Sequence, residues 1–189
     1  VLSELLTLDV FRFLLVFIRI GAAMMLFPGL GGTLVSTRIR LLLALSISFL
    51  MLPTLAPLLP AAPRHPGDLL ALVTLELVVG LFIGSVMMFV MATLNVAGSV
   101  IGYMTGLTNA FSFDPIAQQQ SQLLTGFLSN IAMLAVFATD LHHLMFRAIV
   151  ESYDLFRPGQ VPPLDDYAAA LSHLLTECFR LGLQFAAPL

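Results

Sequence analysis

Three features of this 189-residue chain invite a chemical reading: ionisable groups inside apolar runs, an Asp-Leu-His-His stretch and one cysteine. Arg12, Arg19 and Glu76 interrupt otherwise apolar segments, where ionisable side chains are expensive and turn to the protein interior or to water. Arg19 and Glu76 are candidates for an ion pair. Snorkelling toward a helix end is the favoured reading of Arg12 and an open alternative for Arg19. Glu76 also suits the carboxylate of a small-molecule secondary transporter, with Arg19 and a broken third segment forming a midplane site. A proton relay uses several such groups, however, and Glu76 stands nearly alone in its segment. In Asp140-Leu-His142-His143 the two adjacent histidines point about 100° apart on a helix and do not easily share one ion, unlike histidines at i, i+4. No metal is expected there; the stretch reads as an interfacial cap. Cys178 is single, which excludes an internal disulfide or a multi-cysteine zinc site, and it reads as an inert small hydrophobe. With no P-loop, nucleophile elbow, HExxH or dinucleotide fingerprint, neither enzyme activity nor a cofactor is expected.

The elements that carry these residues are apolar helices. The chain is 59% hydrophobic and 10% charged, with mean hydropathy +0.99, whereas a soluble domain carries about a quarter charged residues. The fold class expected is all-α, a multi-helix membrane-associated protein. A net charge of −3 offers no basic field for nucleic acid. Glu4 and Asp9 stand where a cleavable signal would be basic, so internal segments are expected to insert. About 20 apolar residues cross a bilayer. On that measure Val10 to Phe27 is a first segment, and Leu41 to Leu59 a second, ended by Pro53, Pro57 and Pro60. Leu69 to Ile101 is too long for one ordinary span: it is a long or tilted helix, broken or packed close by Gly80, Gly84, Gly98 and Gly102. Leu123 to Thr139, Leu141 to Phe156 and Leu164 to Leu189 follow, the last amphipathic. Arg38 and Arg40 between the first two segments argue for a cytoplasmic loop, and hence an N-terminus outside.

Gly80 and Gly84, then Gly98, Gly102 and Gly106, recur every four residues and so share a helix stripe where backbones approach closely. The stripes fit packing within the chain or against neighbouring subunits. After them, Gly106, Leu107, Thr108, Asn109, Ala110, Phe111, Ser112, Phe113 and Asp114 lead into Pro115. Phenylalanines beside a rigid Asp-Pro turn suit a compact loop packed into a cavity. A simple interhelical connection with buried aromatics is the alternative.

The ordered series of motifs resembles the FliR family, the flagellar export-gate subunit related to the SctT subunits of injectisomes. It runs from Arg19 through Pro28, Ser36-Thr-Arg38-Ile-Arg40, Leu52-Pro53 and Gly80-Leu-Phe-Ile-Gly84 to Ala97-Gly98-Ser-Val-Ile-Gly102-Tyr-Met-Thr-Gly106-Leu. It continues with Phe113-Asp114-Pro115, Asp140-Leu-His142-His143-Leu, Glu151-Ser152-Tyr153 and Pro158-Gly159. Two departures stand out. Val35-Ser36-Thr37 lacks the proline usual before the two arginines, and Gln118-Gln119-Gln120 replaces the glycine common after the Asp-Pro turn. The resemblance implies a single helical domain over 1–189, with the family's C-terminal FliQ-like hairpin largely outside it. It further implies one such subunit joining several FliP-type and FliQ-type subunits, and an FlhB-type protein, in an inner-membrane pore for unfolded exported polypeptides. By the same resemblance Gly106 to Asp114 corresponds to the pore plug, and the glycine stripe brings that loop to the central axis.

Overall fold

The computed structural model describes residues 2–32, 35–63, 65–104, 121–160 and 164–187, with side chains for all of these except 2–9, 121–125 and 164–165. Six α-helices account for most of the described residues: α1 (Leu2–Leu26), α2 (Thr37–Leu55), α3 (Pro66–Met104), α4 (Ser121–Ala138), α5 (Leu141–Leu155) and α6 (Leu164–Ala186). A single 3₁₀ turn, Ala56–Leu58, extends α2. The all-α architecture expected from hydropathy is the one observed.

Among the described residues two helices are long and apolar enough to cross a membrane, Thr37–Leu58, counting the 3₁₀ turn, and Pro66–Met104; Gly126–Ala138 with Leu141–Leu155, bent by 72°, would make a third if the pair is one span. The 39 residues of α3 form one continuous helix, about 58 Å long at 1.5 Å per residue. The long helix expected is the one observed, and it is not broken at its glycines. Pro53 also departs from expectation, because it lies inside α2 instead of ending it. The helix runs on to Leu55 and closes only at the turn containing Pro57. Along α2 large apolar side chains stay exposed, Phe49 and Leu50 each at 70%. A helix apolar around most of its circumference is made for lipid or protein surroundings, not for water.

The helix ends follow local chemistry. Pro28 follows α1, and the chain turns through Gly29, whose φ of 83° lies in the left-handed region that glycine tolerates. Gly31 then donates its N–H to Phe27 O at 2.7 Å. Ser36 caps α2, its hydroxyl accepting from Ile39 N at 3.5 Å. Arg40 Nη2 donates to Gly32 O at 2.8 Å and to Val35 O at 3.4 Å. A serine cap and an arginine tie thus hold the start of α2. Past α4, Asp140 takes φ 58° and donates its N–H to Phe137 O at 3.4 Å.

The chain divides into two compact units: Val1–Ser85 with His143–Asp165, and Val86–His142 with Asp166–Leu189. The core of the first is built on α1, where Leu15, Val16, Ile20, Ala23 and Met24 are almost fully buried on a stripe of helical period, as is Phe27 just beyond it. Phe27 stacks on Phe146, with ring centroids 5.1 Å apart. The second unit buries Ala97 of α3, Ala132 and Val136 of α4, and Tyr167 and Cys178 of α6. Ser129 of α4 hydrogen-bonds the side-chain oxygen of Asn95 in α3.

Candidate functional site

The first unit is organised around Arg19, which is 1% exposed, as is Glu76. Snorkelling is therefore not what Arg19 does. Its Nε donates to Glu76 Oε2 at 2.6 Å and its Nη2 to Glu76 Oε1 at 3.0 Å, a fork-on-fork pairing that a lysine could not make. Nη1 donates to Ser152 Oγ at 3.3 Å, and Nη2 also donates to Phe156 O at 2.9 Å. Ser152 passes its own hydroxyl proton on to Ile149 O at 2.6 Å. The guanidinium carbon lies 3.9 Å from the centroid of the Tyr153 ring, within cation–π range. One side chain from α1 thereby joins the carboxylate of α3 to the last turn of α5. There the free carbonyls carry the negative end of the helix dipole.

Glycine makes this approach feasible. Gly80 lies one turn after Glu76 on α3, and a Cβ there would meet Arg19 O at 2.4 Å and Ala22 Cβ at 2.8 Å. One turn on, a Cβ at Gly84 would meet Ala23 O at 2.8 Å and Leu26 Cβ at 2.9 Å. Both glycines are buried. Without side chains at these two positions α3 lies against the backbone of α1, and Glu76 comes within direct reach of Arg19.

Gly98 and Gly102 are buried on the second half of α3. Arg38 is exposed at the start of α2, and Arg40 is half-buried in the turn described above. Arg12 is half-buried on α1, and its Nε makes no hydrogen bond among the described residues. Residues 106–114 lie outside the described residues. His142 packs its ring 5.2 Å from that of Phe137. Sequence reasoning named Arg19 and Glu76 but not Ser152, Tyr153 or Phe156 as their partners. It also missed Gly182 of α6, where a Cβ would come 2.8 Å from Val96 Cγ1. The signal for that glycine was present in the four-residue spacing of Cys178, Gly182 and Ala186.

A charge pair with both carboxylate oxygens engaged and both partners out of solvent is chemically closed. It offers no free base or ligand site; it fixes three helices relative to one another within the first unit.

Residues 10–189 match the family described as bacterial export proteins, family 1. The chain is 38% identical over 174 residues to the flagellar biosynthetic protein FliR of Caulobacter vibrioides, covering 92% of this chain and 69% of that relative. It is 28% identical to FliR of Bacillus subtilis, over 96% of this chain and 71% of the relative. To FliR of Escherichia coli it is again 28% identical, over 91% of this chain and 65% of the relative. The chain thus spans about two thirds of the length of these relatives. With a match over nearly its whole length and two membrane-length helices, the chain belongs to the FliR family of flagellar export-gate proteins, non-enzymatic components of the bacterial inner membrane.

Proposed function

We propose that this chain is a pore-forming subunit of the flagellar protein-export gate, and that Gly106 to Asp114 form a plug that keeps the channel shut until an unfolded substrate arrives. The observation that carries the reading is the position of this loop in a chain of the FliR family. It follows directly on the 39 residues of α3 and precedes α4. Its Leu107, Phe111 and Phe113 give a constriction that excludes water and ions by dewetting. Asp114-Pro115 turns the chain toward the next helix. The apolar side chains exposed along α2 and α3 support the partners in this reading, FliP-type and FliQ-type subunits and an FlhB-type protein. Contiguous apolar surface on this scale marks a face covered by protein or lipid.

The transporter reading needed a carboxylate available to a substrate or proton. Glu76 instead spends both oxygens on Arg19.

Co-purification tests the assignment. The full-length protein, tagged, is expressed with FliP-type and FliQ-type proteins of the same genome and weighed intact by native mass spectrometry. A discrete hetero-oligomer with one tagged copy is the expected result. A well-expressed monomer or homo-oligomer that ignores both partners would refute it.

A further inference from the structure

Helix α6 divides into faces that point to different surroundings. Its back, Cys178, Gly182 and Ala186, is buried. Gly182 sits close against α3, where a Cβ would come 2.9 Å from Val96 Cβ and 3.0 Å from Thr93 O. Opposite this back runs a polar stripe of His173, Glu177, Arg180 and Gln184, which fall within about 60° of one another at the α-helical repeat. Arg180 donates to Glu177 Oε2 from Nε at 2.9 Å and from Nη2 at 2.6 Å, so the acid and the base of the stripe cancel. Between stripe and back lie two apolar flanks, both exposed: Phe179 and Leu183 on one side, Phe185 on the other.

Each face constrains what can surround the helix. Flanks carrying exposed phenylalanine and leucine are not built to stay in water. A stripe carrying an ion pair is not built to face hydrocarbon. A helix lying flat on a membrane surface would turn the face opposite its polar stripe to the lipid, but here that face is spent on α3. What remains is the geometry of a stave in a wall, with its back on α3, its flanks against apolar helices of other gate subunits and its front to water. We propose that the His173–Glu177–Arg180–Gln184 stripe lines the aqueous conduit of the gate and contacts unfolded polypeptide in transit. This rests on the channel reading proposed above and names the surface that performs it. Rings of single-sign charge select ions by sign; a lining whose Glu177 and Arg180 cancel lets acidic and basic stretches of an unfolded chain pass alike.

Cysteine accessibility in the assembled gate tests this. The full-length chain, with Cys178 and any cysteine outside residues 1–189 replaced by alanine, carries one introduced cysteine at His173, Gln184, Phe179 or Phe185, in membranes containing its partner subunits. A charged, impermeant thiol reagent is applied from either membrane face, with and without an exported polypeptide stalled in transit. His173→Cys and Gln184→Cys are expected to react roughly tenfold faster than Phe179→Cys and Phe185→Cys, since thiol reactivity follows access to water. The stalled polypeptide should protect the stripe positions. Two stripe positions keep the test decisive where one variant fails to accumulate. Flanks that react as fast as the stripe, a silent stripe, or a stripe indifferent to the stalled chain would each overturn the proposal. A gate that still co-purifies with its partners in those cases leaves the channel assignment standing and removes only the lining.

Discussion

Replacing Arg19 by methionine tests whether the buried cluster holds the first unit together. The substitution keeps much of the side-chain volume but removes all four hydrogen bonds to Glu76, Ser152 and Phe156 O. Glu76 would be left inside a core where it is now 1% exposed. Removing one partner of a buried, hydrogen-bonded pair costs about 3–5 kcal/mol. The orphaned Phe156 carbonyl adds a smaller term that overlaps with it. At 1.4 kcal/mol per decade this is about two to four orders of magnitude in the folded-to-unfolded ratio. Replacing the pair together, Arg19→Met with Glu76→Leu, removes the uncompensated charge as well, and apolar replacements of a buried pair are often neutral. The double variant should therefore be more stable than either single variant, with coupling of about 3 kcal/mol or more between the sites. The assay is thermal unfolding of the full-length protein co-purified with its partners in detergent. Single variants as stable as the parent chain, or additive effects in the double variant, would refute the reasoning.

Close contact makes Gly80 equally testable. Gly80→Ala drives a methyl to 2.4 Å from Arg19 O, and with backbone as the obstacle the cost should be at least about 1–3 kcal/mol, read as a drop in melting temperature. Gly21→Ala is the control: a Cβ there meets nothing within 4 Å, so the substitution should be neutral or stabilise α1 by up to about 1 kcal/mol. Arg147→Ala breaks a 2.6 Å pair with Glu151 whose side chains are 72% and 57% exposed. Such pairs contribute about 0–1 kcal/mol, and melting should barely move.

Much of the architecture was legible because hydropathy acts locally. The apolar runs of α2 and α3 are set by lipid thickness and side-chain chemistry, and they were found to within a few residues. Pro53 was misread because a proline near a helix end removes a single backbone N–H, and α2 runs only two residues past it. The Arg19 cluster was legible only in part. Two opposite charges in apolar runs suggest each other, but Ser152 and Phe156 lie 133 and 137 residues from Arg19, and one of them contributes only a carbonyl. No side-chain pattern announces a backbone acceptor. The glycine stripe of Gly80 and Gly84 signalled close packing without naming the neighbour, since the spacing is the same whichever helix lies against it.

The cluster and the glycines have one mechanical consequence. Arg19, Glu76, Gly80 and Gly84 fix the first half of α3 against α1, so in the proposed gate the plug loop hangs from a helix anchored at its other end.

The plug itself is tested most directly by deleting Thr108 to Ser112 from the full-length chain and measuring ion and small-solute permeability of membranes containing the assembled gate. A gate that still assembles and now leaks is the expected result. A gate that assembles without the loop and stays as tight as the parent would contradict it.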